Sequence, residues 1–217
     1  MSPSSVNPQL VEQCLAKLTR HGFDVSLSST VQEANQRILS HIVQLAPHTV
    51  SYGHSDTLSA MGILNSIAQL KDITLLNGFD PTLTSEERLQ IRRQGLTADL
   101  FLSGINAISA DGVLFWMDKV GNRVAPIAFG PEHVILVAST LKIVADTASA
   151  QERLRQVAPQ NAQLHPNYTT PCQKTGQCCD CNSPDRFCNV ALTLNRSFPP
   201  HRIAVFLIDE ALGLCGH

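Results

Sequence analysis

Residues 49–64 read TVSYGHSDTLSAMGIL, and this stretch decides what kind of sheet the chain builds. Thr49 to Gly53 has the β-branched and aromatic character of a short strand. Gly53 lets the backbone turn, His54 to Thr57 are polar, and Leu58, Met61, Ile63 and Leu64 supply the apolar face of a helix that follows at once. A strand feeding directly into a helix is half of a βα unit, and such units join parallel strands.

The same alternation continues on both sides. Toward the N-terminus, Asn7 and Pro8 read as N-cap and first helical position, with Leu10, Val11, Cys14, Leu15 and Leu18 as an apolar stripe ended by Gly22. Cys14 inside that stripe reads as a small buried hydrophobe. FDVSL (23–27) alternates like a strand, and Thr30 with Glu33 has the spacing of a capping box opening a helix faced by Val31, Ala34, Ile38, Ile42 and Leu45. Toward the C-terminus, ITLLNGF (73–79) is a strand, and Thr84 with Glu87 is a second capping box whose helix ends near Gly95.

From Ala98 the texture changes. ADLFLSG (98–104), GVLFWM (112–117), RVAPIAF (123–129) and HVILVA (133–138) read as strands separated by short Asp-Gly, Gly-Asn and Gly-Pro punctuation. Connections this short suit antiparallel neighbours, so the expected fold is α/β with a mixed, mainly parallel sheet flanked by helices. DTASAQERLRQVA (146–158) reads as a helix, and VALTLN (190–195) and RIAVFLI (202–208) as two closing strands around RSFPPH. The expected organisation is an α/β core over residues 1–160, a cysteine-rich loop over 161–189, and closing strands of the same domain over 190–217. At 217 residues the chain can bury a core without covalent staples.

With 16 Lys and Arg against 18 Asp and Glu and no basic run, neither nucleic acid nor an anionic membrane surface is expected as a main partner. VILVA (134–138) and IAVFLI (203–208) are strand-length and too short to span a bilayer. MSPSSVNPQL lacks the cationic start and apolar stretch of a secretory peptide, so the expected location is cytoplasmic.

Three stretches have chemistry to offer. The turn Gly53, His54, Ser55, Asp56, Thr57 stands where a parallel strand ends, the place where ligands of open α/β sheets gather. Its N–H and hydroxyl groups suit a phosphate or carboxylate, while ordinary capping by Ser55 or Asp56 is the plainer reading. In MDKVGNRV (117–124), Asn122 and Arg123 add hydrogen-bonding capacity, and the Arg123 fork matches a carboxylate or phosphate. The alternative there is a hairpin turn with solvated charges. Asn106 in SGINA (103–107) is a third strand-end residue, and Gly53, Ser55 and Thr57 are expected to face Asn106, Asn122 and Arg123 across one cleft. His54, Asp56 and Asp118 are the candidate acid–base groups near it.

The segment CQKTGQCCDCNSPDRFC (172–188) gathers five of the seven cysteines with the spacing C-x5-C-C-x-C-x6-C. Four thiolates in one loop suit a tetrahedral zinc or a cubane iron–sulfur cluster, and Cys178 and Cys181 stand two residues apart as paired ligands do. A thiol–disulfide function and an inert crowded loop are the other readings, with a structural disulfide knot disfavoured in a reducing compartment. Only Leu164, Tyr168 and Phe187 offer large apolar area between Gln163 and Asn189, so converging sulfurs on a metal are the expected source of order.

GHSDTLSAMGIL, TADLFLSGINAISADGVLF, GNRVAPIAFGPEHVILV, LKIVAD and the cysteine segment together resemble the LUD-domain family of lactate-utilization proteins, over nearly the whole chain. The resemblance implies a fold similar to ribose-5-phosphate isomerase, glucosamine-6-phosphate deaminase and the CoA transferases. It also implies a link to lactate or related organic acids, in some members through multi-subunit systems whose partner subunits carry iron–sulfur clusters. His54 stands where the family commonly has glycine. Cys179 is additional to the tail pattern of single-domain members, leaving Cys172, Cys178, Cys181 and Cys188 as the implied ligands of an iron–sulfur cluster or zinc. The implied role is an accessory or redox-associated subunit binding a small anionic metabolite. A stand-alone isomerase or CoA-transferase-like enzyme acting on a phosphorylated or CoA-linked molecule, and a regulatory binding module, are the alternatives.

Overall fold

The computed structural model describes residues 7–165 and 167–213. The start of the N-terminal stretch (1–6) and the end of the span assigned to the closing strands (214–217) lie outside the described residues.

The first half is a run of βα units: α1 (Pro8–Arg20), β1 (Asp24–Ser28), α2 (Val31–Leu45), β2 (Thr49–Tyr52), α3 (Asp56–Met61), α4 (Ile63–Ile67), β3 (Thr74–Leu76) and α5 (Ser85–Gln94). The second half holds β4 (Leu100–Gly104), β5 (Ala107–Ser109), β6 (Leu114–Asp118), α6 (Val124–Ala128), β7 (His133–Ser139), a 3-10 turn (Thr140–Lys142), β8 (Ile143–Val144), α7 (Thr147–Gln163), α8 (Pro171–Thr175), β9 (Val190–Leu194) and β10 (Ile203–Ile208). Local signals set many of the helix starts. Asn7 accepts from the Gln9 N–H, and Thr84 with Glu87 forms a complete capping box. At α2 only half of the box is reciprocal, because Glu33 returns to the Ser29 N–H at 2.9 Å rather than to Thr30. Gly62, at φ 66°, divides the expected single helix after the His54 turn into α3 and α4.

The α/β class stands, but the mixing of strand directions is distributed over two sheets. A six-stranded sheet in the order β1-β10-β7-β4-β2-β3 has parallel pairing throughout. The short-looped strands form a second sheet, β8-β5-β6-β9, with antiparallel pairs β5–β6 and β6–β9 and a parallel pair β5–β8. The two closing strands therefore part company: β9 joins the small sheet and β10 the centre of the large one. RVAPIAF is not a strand but α6 and its exit, because the Asp118 carboxylate takes the main-chain N–H groups of Arg123 and Val124 and starts a turn of helix there.

The core follows strand periodicity. Along β7, Val134, Leu136 and Ala138 enter one cluster with Leu18, Phe23 and Trp116, while Ile135 and Val137 enter the other with Ile38, Ile42 and Leu58. β10 divides the same way, Ile203, Val205 and Leu207 against Ala204, Phe206 and Ile208. One face of the large sheet thus packs on α2, α3 and α4, the other on α1, α6 and the small sheet. The outer face of the small sheet packs Phe115 on Ala150 and Leu154 of α7. Each of these fully buried aliphatic side chains contributes about 1.5–3 kcal/mol. Cys14 sits in this core, its Sγ 3.7 Å from the Ser109 carbonyl oxygen, and burial pushes its thiol up to about 12. No helix among the described residues is long and apolar enough to cross a membrane.

Candidate functional site

Parallel strands all end on one side, and the small sheet leans over that side. β2 ends at Tyr52 and delivers the 53–57 turn, β4 ends at Gly104 and delivers Asn106, and β6 ends at Asp118 and delivers the 119–123 turn. Between them lies a cavity of about 470 Å³, within the usual range for small-molecule sites. His54, Ser55, Thr57, Asn106, Asn122 and Arg123 all line it. Gly53 stands directly behind Arg123: a Cβ at position 53 would lie 2.5 Å from Arg123 Cγ, so only glycine lets the arginine stem pass.

Arg123 is held by a small network. Its Nη2 donates to the Met117 carbonyl oxygen at 2.6 Å and to Asn106 Oδ1 at 3.1 Å. Asn106 Oδ1 also accepts the Met117 N–H at 3.1 Å, which leaves the Asn106 amide nitrogen as its remaining hydrogen-bonding group. Among the described residues, Arg123 Nε and Nη1 have no hydrogen-bond partner. Burial pulls the guanidinium below its ordinary value while the nearby Asp118 and Asp56 charges oppose that shift, and an arginine stays charged throughout the neutral range.

The candidate acid–base groups are placed unequally. Both Asp118 oxygens are taken by the main chain, Oδ1 by Lys119 N–H at 2.9 Å and Oδ2 by Arg123 and Val124 N–H at 3.0 and 3.3 Å. Asp118 therefore shapes the turn. His54 is exposed at the rim, its ring 5.6 Å from that of Phe79. Asp56 lines the cavity, and Ser55 caps α3 through the Leu58 N–H at 3.3 Å, so the plainer reading of this turn is also realised. One cavity residue carries no motif and was invisible in the sequence. Lys142, buried at 5% exposure, comes back into the cavity from the 3-10 turn after β7 and donates to Thr57 Oγ1 at 2.9 Å.

The cysteine segment crosses the mouth of this cavity. His165, Tyr168 and Phe187 pack ring on ring, with centroids 5.4 Å apart for His165–Phe187 and 4.7 Å for Tyr168–Phe187. Lys119 Nζ sits 3.9 Å above the Tyr168 ring, a cation–π contact joining the segment to the Arg123 turn. Asn189 adds N–H to the Asp118 carbonyl oxygen at 3.1 Å and Nδ2 to the Lys119 carbonyl oxygen at 3.0 Å.

Within the segment, Arg186 organises the chain: it donates to the Cys181 and Cys188 carbonyl oxygens at 2.6 and 3.2 Å and pairs with Asp180 at 2.9 Å. Asp185 accepts the N–H and hydroxyl of Thr169, each at 2.9 Å. The expected convergence of four sulfurs is absent from this arrangement, because among the described residues no three His, Cys, Asp or Glu side chains are placed to hold an ion. Cys172, Cys178, Cys181 and Cys188 are free thiols, with Cys178 and Cys179 exposed. Cys178 and Cys188 are close enough to sense each other: burial raises the Cys188 thiol, Arg186 opposes that, and Cys178 adds to it. The donor set suits zinc or an iron–sulfur cluster by its chemistry, and its arrangement would have to change to hold either. The order that the sequence suggested a metal must supply comes here from Arg186, Asp185 and the aromatic rings.

A two-sheet α/β protein with a cationic cavity at its strand ends is the class these features define. The chain belongs to the LUD domain family, whose model matches residues 11–208. That membership supports a role related to lactate utilization. Among solved structures the chain is similar to a DUF162 family protein from Deinococcus radiodurans, with a TM-score of 0.53 and 13% identity over 92% of this chain and 96% of that one. At that identity the likeness shows the fold alone. No curated protein matches the chain.

Proposed function

We propose that the protein serves lactate or related organic-acid utilization as an accessory, redox-associated component that holds a small anionic metabolite in the strand-end cavity. The observation that supports this best is Arg123: a charged, planar fork on the cavity wall, fixed at Nη2 and with Nε and Nη1 left for a ligand. Such a group suits a carboxylate. Asn106, Asn122, Ser55, Thr57 and His54 are the polar neighbours that would orient it. Commitment of both Asp118 oxygens to the main chain favours binding over stand-alone acid–base catalysis.

The experiment is calorimetric titration with lactate and with pyruvate. Arg123→Ala should lose roughly tenfold or more in affinity, the cost of one charge-assisted hydrogen bond at about 1.5–3 kcal/mol. Unchanged affinity in that variant, or no binding to the unaltered protein, would reject this reading. The proposal extends to the tail. Cys172, Cys178, Cys181 and Cys188 would ligate zinc or an iron–sulfur cluster and link the chain to iron–sulfur partner subunits, checked by iron, sulfide and zinc counts on anaerobically prepared protein.

A further inference from the structure

Arg123 is not the only cation at the cavity. Four cationic side chains among the described residues line it, Arg92, Lys119, Arg123 and Lys142, against two carboxylates, Asp56 and Asp118. Asp118 is already engaged by three main-chain N–H groups. The chain as a whole carries a formal charge of −2, so this positive excess is local. Arg92 lies over the Phe79 ring and Lys119 over Tyr168, both toward the rim. The two cations that meet the polar 53–57 turn are Arg123 and Lys142, one at each end: the Arg123 stem runs against Gly53, and Lys142 Nζ holds Thr57 Oγ1. Four residues of chain separate these contacts, at most about 13 Å. A single monocarboxylate fills one of the two positions.

We propose that Lys142, with Thr57, forms a second anion subsite, and that the ligand is a small dianion, a molecule carrying a second carboxylate or a phosphate beside the group held by Arg123. This rests on the anion-binding reading above and deepens it. A lysine at 5% exposure is a costly placement, and a negative group brought to it lowers that cost. The subsites are chemically unequal. The Arg123 fork favours a planar carboxylate, while the compact ammonium with a hydroxyl beside it takes either a carboxylate or a phosphate.

The test is a matched comparison of affinities: lactate against malate, which adds a carboxylate, and glycolate against 2-phosphoglycolate, which adds a phosphate. The unaltered protein should bind at least one dianion about tenfold or more tightly than its monoanionic partner. Lys142→Met should abolish that preference and leave monoanion affinity within about twofold, whereas Lys142→Arg should keep it. Arg123→Ala should weaken both members of each pair. Equal affinity for mono- and dianions in the unaltered protein, or a preference untouched by Lys142→Met, overturns the second subsite while leaving the anion-binding reading intact. Affinity indifferent to Arg123→Ala overturns that reading itself. If Lys142→Met fails to fold, loss of the dianion preference must instead appear on reductive methylation of Lys142 compared with a ligand-protected sample, and its persistence there overturns the subsite.

Discussion

Asp118 decides where Arg123 stands: its Oδ2 accepts the Arg123 main-chain N–H at 3.0 Å, and its Oδ1 accepts that of Lys119 at 2.9 Å. Two residues of opposite charge five positions apart are thus joined through the backbone and not as a side-chain ion pair. Asp118→Ala removes the acceptor and keeps the arginine. Anion affinity should fall about tenfold, and unfolding stability by about 1–3 kcal/mol for the stranded N–H groups. Calorimetry and urea unfolding measure the two effects separately, and full affinity in this variant would show that the turn holds its shape without Asp118.

Gly53→Ala tests the close approach behind the arginine stem. The new Cβ would meet Arg123 Cγ at 2.5 Å and Cδ at 3.0 Å, so the side chain must move. Overpacking of this kind costs about 1–3 kcal/mol. Anion affinity should drop tenfold or more in a protein that still unfolds cooperatively, and an unperturbed titration would mean that the stem has another path.

Thiol chemistry should separate the cysteines sharply. With its thiol pushed up to about 12 by burial, Cys14 is almost wholly protonated near pH 8, and the core shields it as well. Iodoacetamide labelling of metal-free native protein, mapped by peptide mass, should modify exposed Cys178 and Cys179 first and Cys14 only after unfolding. Protection of Cys172, Cys178, Cys181 and Cys188 with Cys179 still reactive would support the metal centre.

Asp99 should carry part of the acid sensitivity. Hydrogen bonds from the Thr49 N–H and hydroxyl and the His48 N–H, at 2.8, 3.0 and 2.9 Å, hold its carboxyl below the ordinary carboxylate value. A carboxylate depressed by folding stabilises the protein above its unfolded value near 4 and loses that contribution as pH falls through the folded value. Asp99→Asn should therefore be less stable at neutral pH by about 1–2 kcal/mol and should lose less stability than the unaltered protein between about pH 5 and pH 2. Parallel pH–stability curves for the two proteins would contradict this.

Part of the site was legible in the amino-acid sequence. Strand-end turns in a βα array converge by topology, so a shared cleft for Ser55, Thr57, Asn106, Asn122 and Arg123 follows from the order of strands and helices. Lys142 could not be placed that way, because a single lysine after an apolar strand carries no spacing signal; only the 3-10 turn returns its side chain to the cavity. RVAPIAF misled for a related reason. Its composition favours a strand, and the side chain that starts the helix, Asp118, lies outside the segment.

What the sequence determined by itself is what local physics encodes: the capping residues, the period-2 and helical apolar patterns, and hence an alternating α/β chain with Cys14 in its core. What only the tertiary structure decided are properties of contacts between residues far apart in the chain. β9 and β10, near neighbours in sequence, enter different sheets because β9 finds its partner in β6 and β10 in β1 and β7. The cysteine segment lies across the cavity because Lys119 meets Tyr168 and Asn189 meets Asp118, pairings that side-chain chemistry permits and chain reversal over a long separation must deliver.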